Sequence, residues 1–116
     1  MKLAVVQVGG VAVVEIPYKF LDAGNYNEFI TEINVLLDGY SQLVLDFDRV
    51  RFIDSSGIGT LLFAQRKLAS VGGSLGVCNI RENLRDDLQR LQLHRLVNIF
   101  DTKEEAVEQY GAAAPE

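Results

Sequence analysis

Leu43-Val-Leu-Asp-Phe47, followed after a short turn by Arg51-Phe-Ile-Asp-Ser-Ser-Gly-Ile-Gly-Thr60, decides how this chain is read. The first run has the continuous apolar character of a strand buried on both faces, and Val50, Phe52 and Ile53 form a second short apolar piece. Beyond them Ile58, Leu61, Leu62, Gln65, Leu68 and Ala69 recur at helical spacing. Asp54, Ser55 and Ser56 therefore fall at a strand-to-helix junction, where unpaired backbone N–H groups favour negative charge. An acidic residue, two hydroxyls and two glycines meet there, so any chemistry of the chain is expected at this junction.

The rest of the chain arranges itself around that junction. Leu3-Ala-Val-Val-Gln-Val8 and Val11-Ala-Val-Val-Glu-Ile16 flank Gly9-Gly10, a hairpin signal because primed turns need positive φ. Pro17 ends the second strand, and Tyr18 to Gly24 reads as a loop. Asn25 is placed to cap a helix with Tyr26, Phe29, Ile30, Ile33, Leu36 and Leu37 on one face, and Gly39 supplies its stop. The helix of the central motif is predicted to reach about Val71, where Gly72-Gly73 ends it. Leu75 to Ile80 follows as a strand, and Arg81 to Leu91 as a helix with Leu84, Leu88 and Leu91 on one side. Leu96 to Phe100 is apolar but too short to assign. A last helix is predicted from Asp101 or Thr102 through Tyr110, with Glu104 and Glu105 in its first turn. Gly111 to Glu116 reads as a flexible tail, which leaves residues 1–110 as the domain. Strands alternating with helices after a hairpin predict a single α/β domain: a mixed β-sheet opened by the N-terminal hairpin and packed with about four helices.

Composition narrows the function. A length of 116 residues, 48% apolar and 23% charged, suits one soluble globular core. A net charge of −5 argues against general nucleic-acid binding, which needs a basic surface. Cys78 is the only cysteine, so neither an intramolecular disulfide nor a thiolate metal cluster is available; within Leu75-Gly-Val-Cys-Asn-Ile80 it reads as a small buried hydrophobe. No secretory pattern is visible, and no apolar run approaches the ~18–20 residues that span a bilayer. The expectations are a cytoplasmic location and no membrane insertion.

Enzymatic readings of the glycine-containing junction fail one by one. The Gly-x-x-x-x-Gly-Lys-Ser/Thr of a P-loop is absent. A dinucleotide fingerprint needs a small residue where Leu62 stands, and a nucleophile elbow needs glycine where Ile53 stands. His94, the only histidine, lies far along the chain in Leu93-His-Arg-Leu96, so Ser55 and Ser56 have no neighbouring base in sequence. The expectation is no catalytic residue, no metal set, no cofactor and no enzyme activity. A capping role is the competing account: Asp and Ser are favoured N-caps, and Gly57 would let the helix pack close to the sheet. Yet Gly57-Ile58-Gly59 puts poor helix formers in the first turn, a cost that capping alone does not explain. Asp-Ser-Ser also presents a hydroxyl that another enzyme can modify. Arg81, Arg85, Arg90 and Arg95 alternate with Glu82, Asp86 and Asp87 and read as a solvated face. Tyr26, Phe29 and Phe63 sit at core spacing and read as packing.

Phe52-Ile-Asp-Ser-Ser-Gly-Ile-Gly59, preceded by Leu43-Val-Leu-Asp-Phe47, resembles the signature of STAS domains, the anti-sigma factor antagonist family. The likeness spans nearly the whole chain: the N-terminal hairpin, Leu21-Asp22-Ala23, Gly72-Gly73 before Leu75-Gly-Val77, the leucines from Leu88 to Leu93, Phe100-Asp-Thr102 and Glu105-Ala106. It implies a serine phosphorylated by a partner, an anti-sigma factor serine kinase of GHKL type, with a PP2C-type phosphatase to reverse it. Carried over, the acceptor is Ser55, and Asp54 helps to position or polarise its hydroxyl. Ser56 supports the loop or the docked partner, Asp22 lies on the same binding face, and Gly57 and Ile58 join the contact. The phosphate is expected to rest on the helix N-terminus. One departure stands out: many relatives carry a glycine shortly before Leu-Asp, where this chain has Tyr18-Lys19-Phe20. The resemblance also leaves room for partner switching with a non-transcriptional output, and for an accessory subunit of a membrane lipid-transport complex.

Overall fold

The structure is a computed structural model and describes residues 3–113. Its elements in order are β1 (Ala4–Val8), β2 (Val11–Glu15), β3 (Phe20–Leu21), α1 (Tyr26–Leu37), β4 (Gln42–Asp46), β5 (Phe52–Ile53), α2 (Ser55–Ala69), β6 (Ser74–Cys78), α3 (Glu82–Arg90), a 3-10 turn (Leu93–Arg95), β7 (Asn98–Phe100) and α4 (Lys103–Ala113). Gly9 takes the positive φ of +60° that the hairpin turn demands, and Val8 pairs with Val11 across it. The main sheet runs in the order β1-β2-β4-β6-β7, antiparallel only between β1 and β2. A single α/β domain with a mixed sheet of five strands and four helices is thus present among the described residues.

Side chains alternate across the strands and build one core on each face. Ala12, Val14, Leu43, Leu45, Leu75 and Val77 meet Phe29, Ile33, Leu61, Leu68, Leu84 and Leu88 of the first three helices. On the other face Val11, Val13, Val44 and Cys78 lie beneath Ala106 and Tyr110 of α4. The continuous apolar run of β4 is explained by this double covering. Gly76 makes room there: a Cβ would come 2.9 Å from both the Phe100 ring and the Tyr110 hydroxyl, whose rings pack edge-to-face at 5.5 Å.

Four readings are corrected. Leu96 to Phe100, left unassigned, contains β7, parallel to β6. α2 stops at Ala69 with Ser70 as its C-cap, short of Val71. α4 runs past Tyr110 to Ala113, so the first part of the supposed tail is helical, and residues 114–116 lie outside the described residues. Tyr18 to Gly24 is not all loop, because Phe20–Leu21 forms a separate two-stranded parallel sheet with β5. Phe29 packs as expected, edge-on to Tyr18, whereas Phe63 is only half-buried, with the Lys67 ammonium 5.6 Å from its ring centre.

Candidate functional site

The small β3–β5 sheet builds the site. Parallel pairing sets Phe20 beside Phe52 and Leu21 beside Ile53, so both strands deliver their next residues, Asp22 and Asp54, at the same end. Backbone bonds lock the two: Arg51 N–H donates to Lys19 O at 2.7 Å, and Asp54 N–H donates to Leu21 O at 3.0 Å.

Asp54 is the N-cap of α2, with extended backbone angles. Its Oδ1 accepts from the N–H groups of Ser56 at 2.9 Å and Gly57 at 3.2 Å, and its Oδ2 accepts from Ala23 N–H at 3.1 Å. One carboxylate therefore ties the helix start to the loop after β3. Asp22 works within that loop, where its Oδ1 accepts from Gly24 N–H at 2.9 Å. Asn25 stands at the N-cap of α1 but makes no side-chain cap bond. Its side chain turns back, accepting from Asp22 N–H at 3.1 Å and donating to Phe20 O at 2.6 Å. The expected cap is a loop stitch, because the orphan polar groups of the short strand compete for the same amide.

Gly57 is buried, and a Cβ there would sit 2.6 Å from Ile53 Cγ1 and 2.8 Å from Leu21 O. Only glycine lets the first turn of α2 press onto both short strands. Ser55 is exposed, while Asp22, Asp54, Ser56 and Ile58 are half-buried. The structure thus brings Asp22, Asp54, Ser55, Ser56, Gly57 and Ile58 to one end of the small sheet. Two hydrogen-bonding features of the helix start bear on the expected chemistry. The N–H groups of Ser56 and Gly57, part of the helix N-terminus on which a phosphate is expected to rest, donate to Asp54. The hydrogen bonds of Asp54 likewise run to backbone rather than to the Ser55 hydroxyl.

The remaining candidates lie elsewhere. His94 is exposed in the 3-10 turn and lines a hollow with Gln42, Ser74 and Asn98, the first residues of β4, β6 and β7. Ser55 starts α2, whose far end leads into β6, so it lies at the opposite end of that helix from the hollow at the start of β6 where His94 sits. Cys78 is buried, and its thiol is pushed up to about 12, first by burial and then by the charges of Asp46 and Glu104. Arg85 pairs with Asp101 at 2.7 Å and Arg90 with Asp87 at 3.2 Å, which suits a solvated face. Among the described residues, no group of three or more His, Cys, Asp and Glu is arranged to hold a metal ion. No helix among them is long and apolar enough to cross a membrane.

Missing from the sequence reading was the exposure of Phe20 and Phe52, the one read as loop and the other as buried strand. Each is followed by a residue that is buried, Leu21 and Ile53. This outward–inward alternation was the available signal, but it spans only two residues per strand.

A mixed sheet opened by a hairpin, with an Asp-Ser-Ser-Gly helix start held against a Leu-Asp loop, defines the class: the chain belongs to the STAS domain family, whose model matches residues 2–106. It is similar to a Thermotoga neapolitana protein named "Putative anti-sigma factor antagonist TM1081 homolog", 30% identical over 84 residues, which are 72% of this chain and 69% of that protein. The crystal structure of the Thermotoga maritima protein of that description is 28% identical and matches with a TM-score of 0.85 over 92% of each chain. The anti-sigma factor antagonist SpoIIAA in its unphosphorylated form, 21% identical, shares the fold with a TM-score of 0.72, over 97% of this chain and 99% of that one.

Proposed function

We propose that this protein is an anti-sigma factor antagonist that works by partner switching. Unphosphorylated, it binds an anti-sigma factor that is also a serine kinase of GHKL type, and the bound sigma factor is released to transcription. That kinase transfers the γ-phosphoryl group of its own ATP to Ser55 Oγ: the hydroxyl proton leaves, a P–O bond forms, and ADP departs. The phosphorylated protein dissociates, and a PP2C-type phosphatase hydrolyses the ester to reset it. The chain acts in the cytoplasm as substrate and ligand, not as catalyst, and needs no cofactor of its own.

The observation that carries this reading is Ser55, exposed on a turn whose backbone is fixed by Asp54 without use of the serine side chain. A phosphate adds about −1.5 to −2 charges and three acceptor oxygens. That group would sit at the exposed Ser55 position, against whatever is docked over Asp22, Ser56, Gly57 and Ile58. The names of the relatives support the same reading, and SpoIIAA has also been solved in a phosphorylated form. Incubation with the partner kinase and ATP, followed by intact-mass measurement, tests it. One added phosphate is expected on the wild type and none on Ser55→Ala; persistence of the shift in that variant would move the acceptor, with Ser56 next in line.

A further inference from the structure

Phe20 and Phe52 form the outward register pair of the small sheet. Leu21 and Ile53, the next pair, are buried at 0% and 8% exposure, whereas Phe20 and Phe52 keep 52% and 48%. Their rings lie 6.4 Å apart at 58°. Lys19 and Arg51 precede them, both exposed and joined through the backbone, and neither pairs with a carboxylate among the described residues. A chain of net charge −5 therefore carries two half-exposed rings, each directly preceded in sequence by an exposed cation with no carboxylate partner among the described residues. Aromatic rings and arginine are the side chains that dominate interface energetics. The Asp54 N–H bond to Leu21 O holds this patch rigidly beside the turn that carries Ser55.

We propose that Phe20 and Phe52, flanked by Lys19 and Arg51, are the anchoring and specificity-determining contact for the kinase partner, whose surface there is an apolar pocket rimmed by carboxylates. The proposal rests on the partner-switching reading. Charge selects this occupant. A second copy of the chain would set two pairs of cations against each other, and the dense phosphates of a nucleic acid would meet a chain of net charge −5. Carboxylates on the partner complement Lys19 and Arg51, and the same carboxylates repel a phosphate placed on Ser55.

The test measures binding of the purified partner kinase, loaded with ADP so that no transfer occurs, to wild type, F20A/F52A and K19E/R51E at low and high salt. F20A/F52A is expected to bind at least about 30-fold more weakly, through faster dissociation. K19E/R51E is expected to associate about tenfold more slowly and to lose most of the salt dependence. Wild-type binding matched by F20A/F52A would overturn this inference and leave partner switching intact, whereas a wild type that does not bind overturns both. Should the double truncation disturb the amide NMR spectrum, K19E/R51E decides alone, and wild-type affinity and salt dependence in it would overturn the inference.

Discussion

Both carboxylate oxygens of Asp54 are engaged by backbone N–H groups, two from the first turn of α2 and one from Ala23. A side-chain cap of this kind stabilises by about 0.5–2 kcal/mol, and the bond to Ala23 spends the second oxygen on the neighbouring loop. Ser55 Oγ has no hydrogen-bond partner among the described residues, so its chemical state can change without removing a bond that shapes the turn. Cys78 is the opposite kind of residue: buried, and held protonated by that burial. A thiol whose pKa is raised on folding leaves stability untouched below its unfolded value, about 8.5. Above that, the unfolded chain loses the proton while the native state keeps it, so stability falls as pH rises towards 12. The slope is at most about 1.4 kcal/mol per pH unit. Urea unfolding between about pH 8 and pH 9.5 is expected to show a loss of about 1 kcal/mol in the wild type that Cys78→Ala lacks. Equal slopes for the two proteins would refute the assignment.

At the scale of elements, the two glycines of the α2 start separate cleanly. Gly57 has no space for a methyl group, because Ile53 and the Leu21 carbonyl stand in the way. Gly57→Ala is expected to destabilise by about 1–3 kcal/mol through overpacking. Gly59 has nothing within 4 Å of a built Cβ, and alanine there is expected to stabilise the helix by about 0.5–1 kcal/mol. Thermal unfolding of the two variants checks the pair, and shifts of the same sign would contradict the packing described for this junction. The close-packing role of Gly57 was legible in the sequence, as were the hairpin, the capping aspartate and the helical faces, because each rests on local pattern over several residues. The β3–β5 sheet was not. Two residues are too few for alternation to register, and the pairing of Phe20 with Phe52 joins segments far apart in the chain. β7 was hidden for the same reason of length. α4 runs past its predicted end at Tyr110 to Ala113, because a small-residue stretch without core-forming side chains still contains alanine, a strong helix former.

At the scale of the whole molecule, the parallel strands put Ser55, Asp22 and the aromatic patch at one end and His94 at the other. The alternation of the longer strands and helices and the doubly covered β4 were legible from hydrophobic pattern; β3, β7 and the joining of Asp22 to Asp54 needed the three-dimensional pairing. Ser55 itself belongs to neither core, so the domain can change charge at that residue and keep its packing. The central claim is that phosphorylation of Ser55 is read by a partner as a change of surface rather than of fold. It is tested most directly by measuring the affinity of the partner kinase for the unmodified and Ser55-phosphorylated protein, with amide NMR spectra of both. The account predicts a loss of at least about 100-fold, the scale of like charges brought together across an interface, with spectral changes confined to the β3 and α2 ends of the site. Equal affinity of the two forms would contradict it.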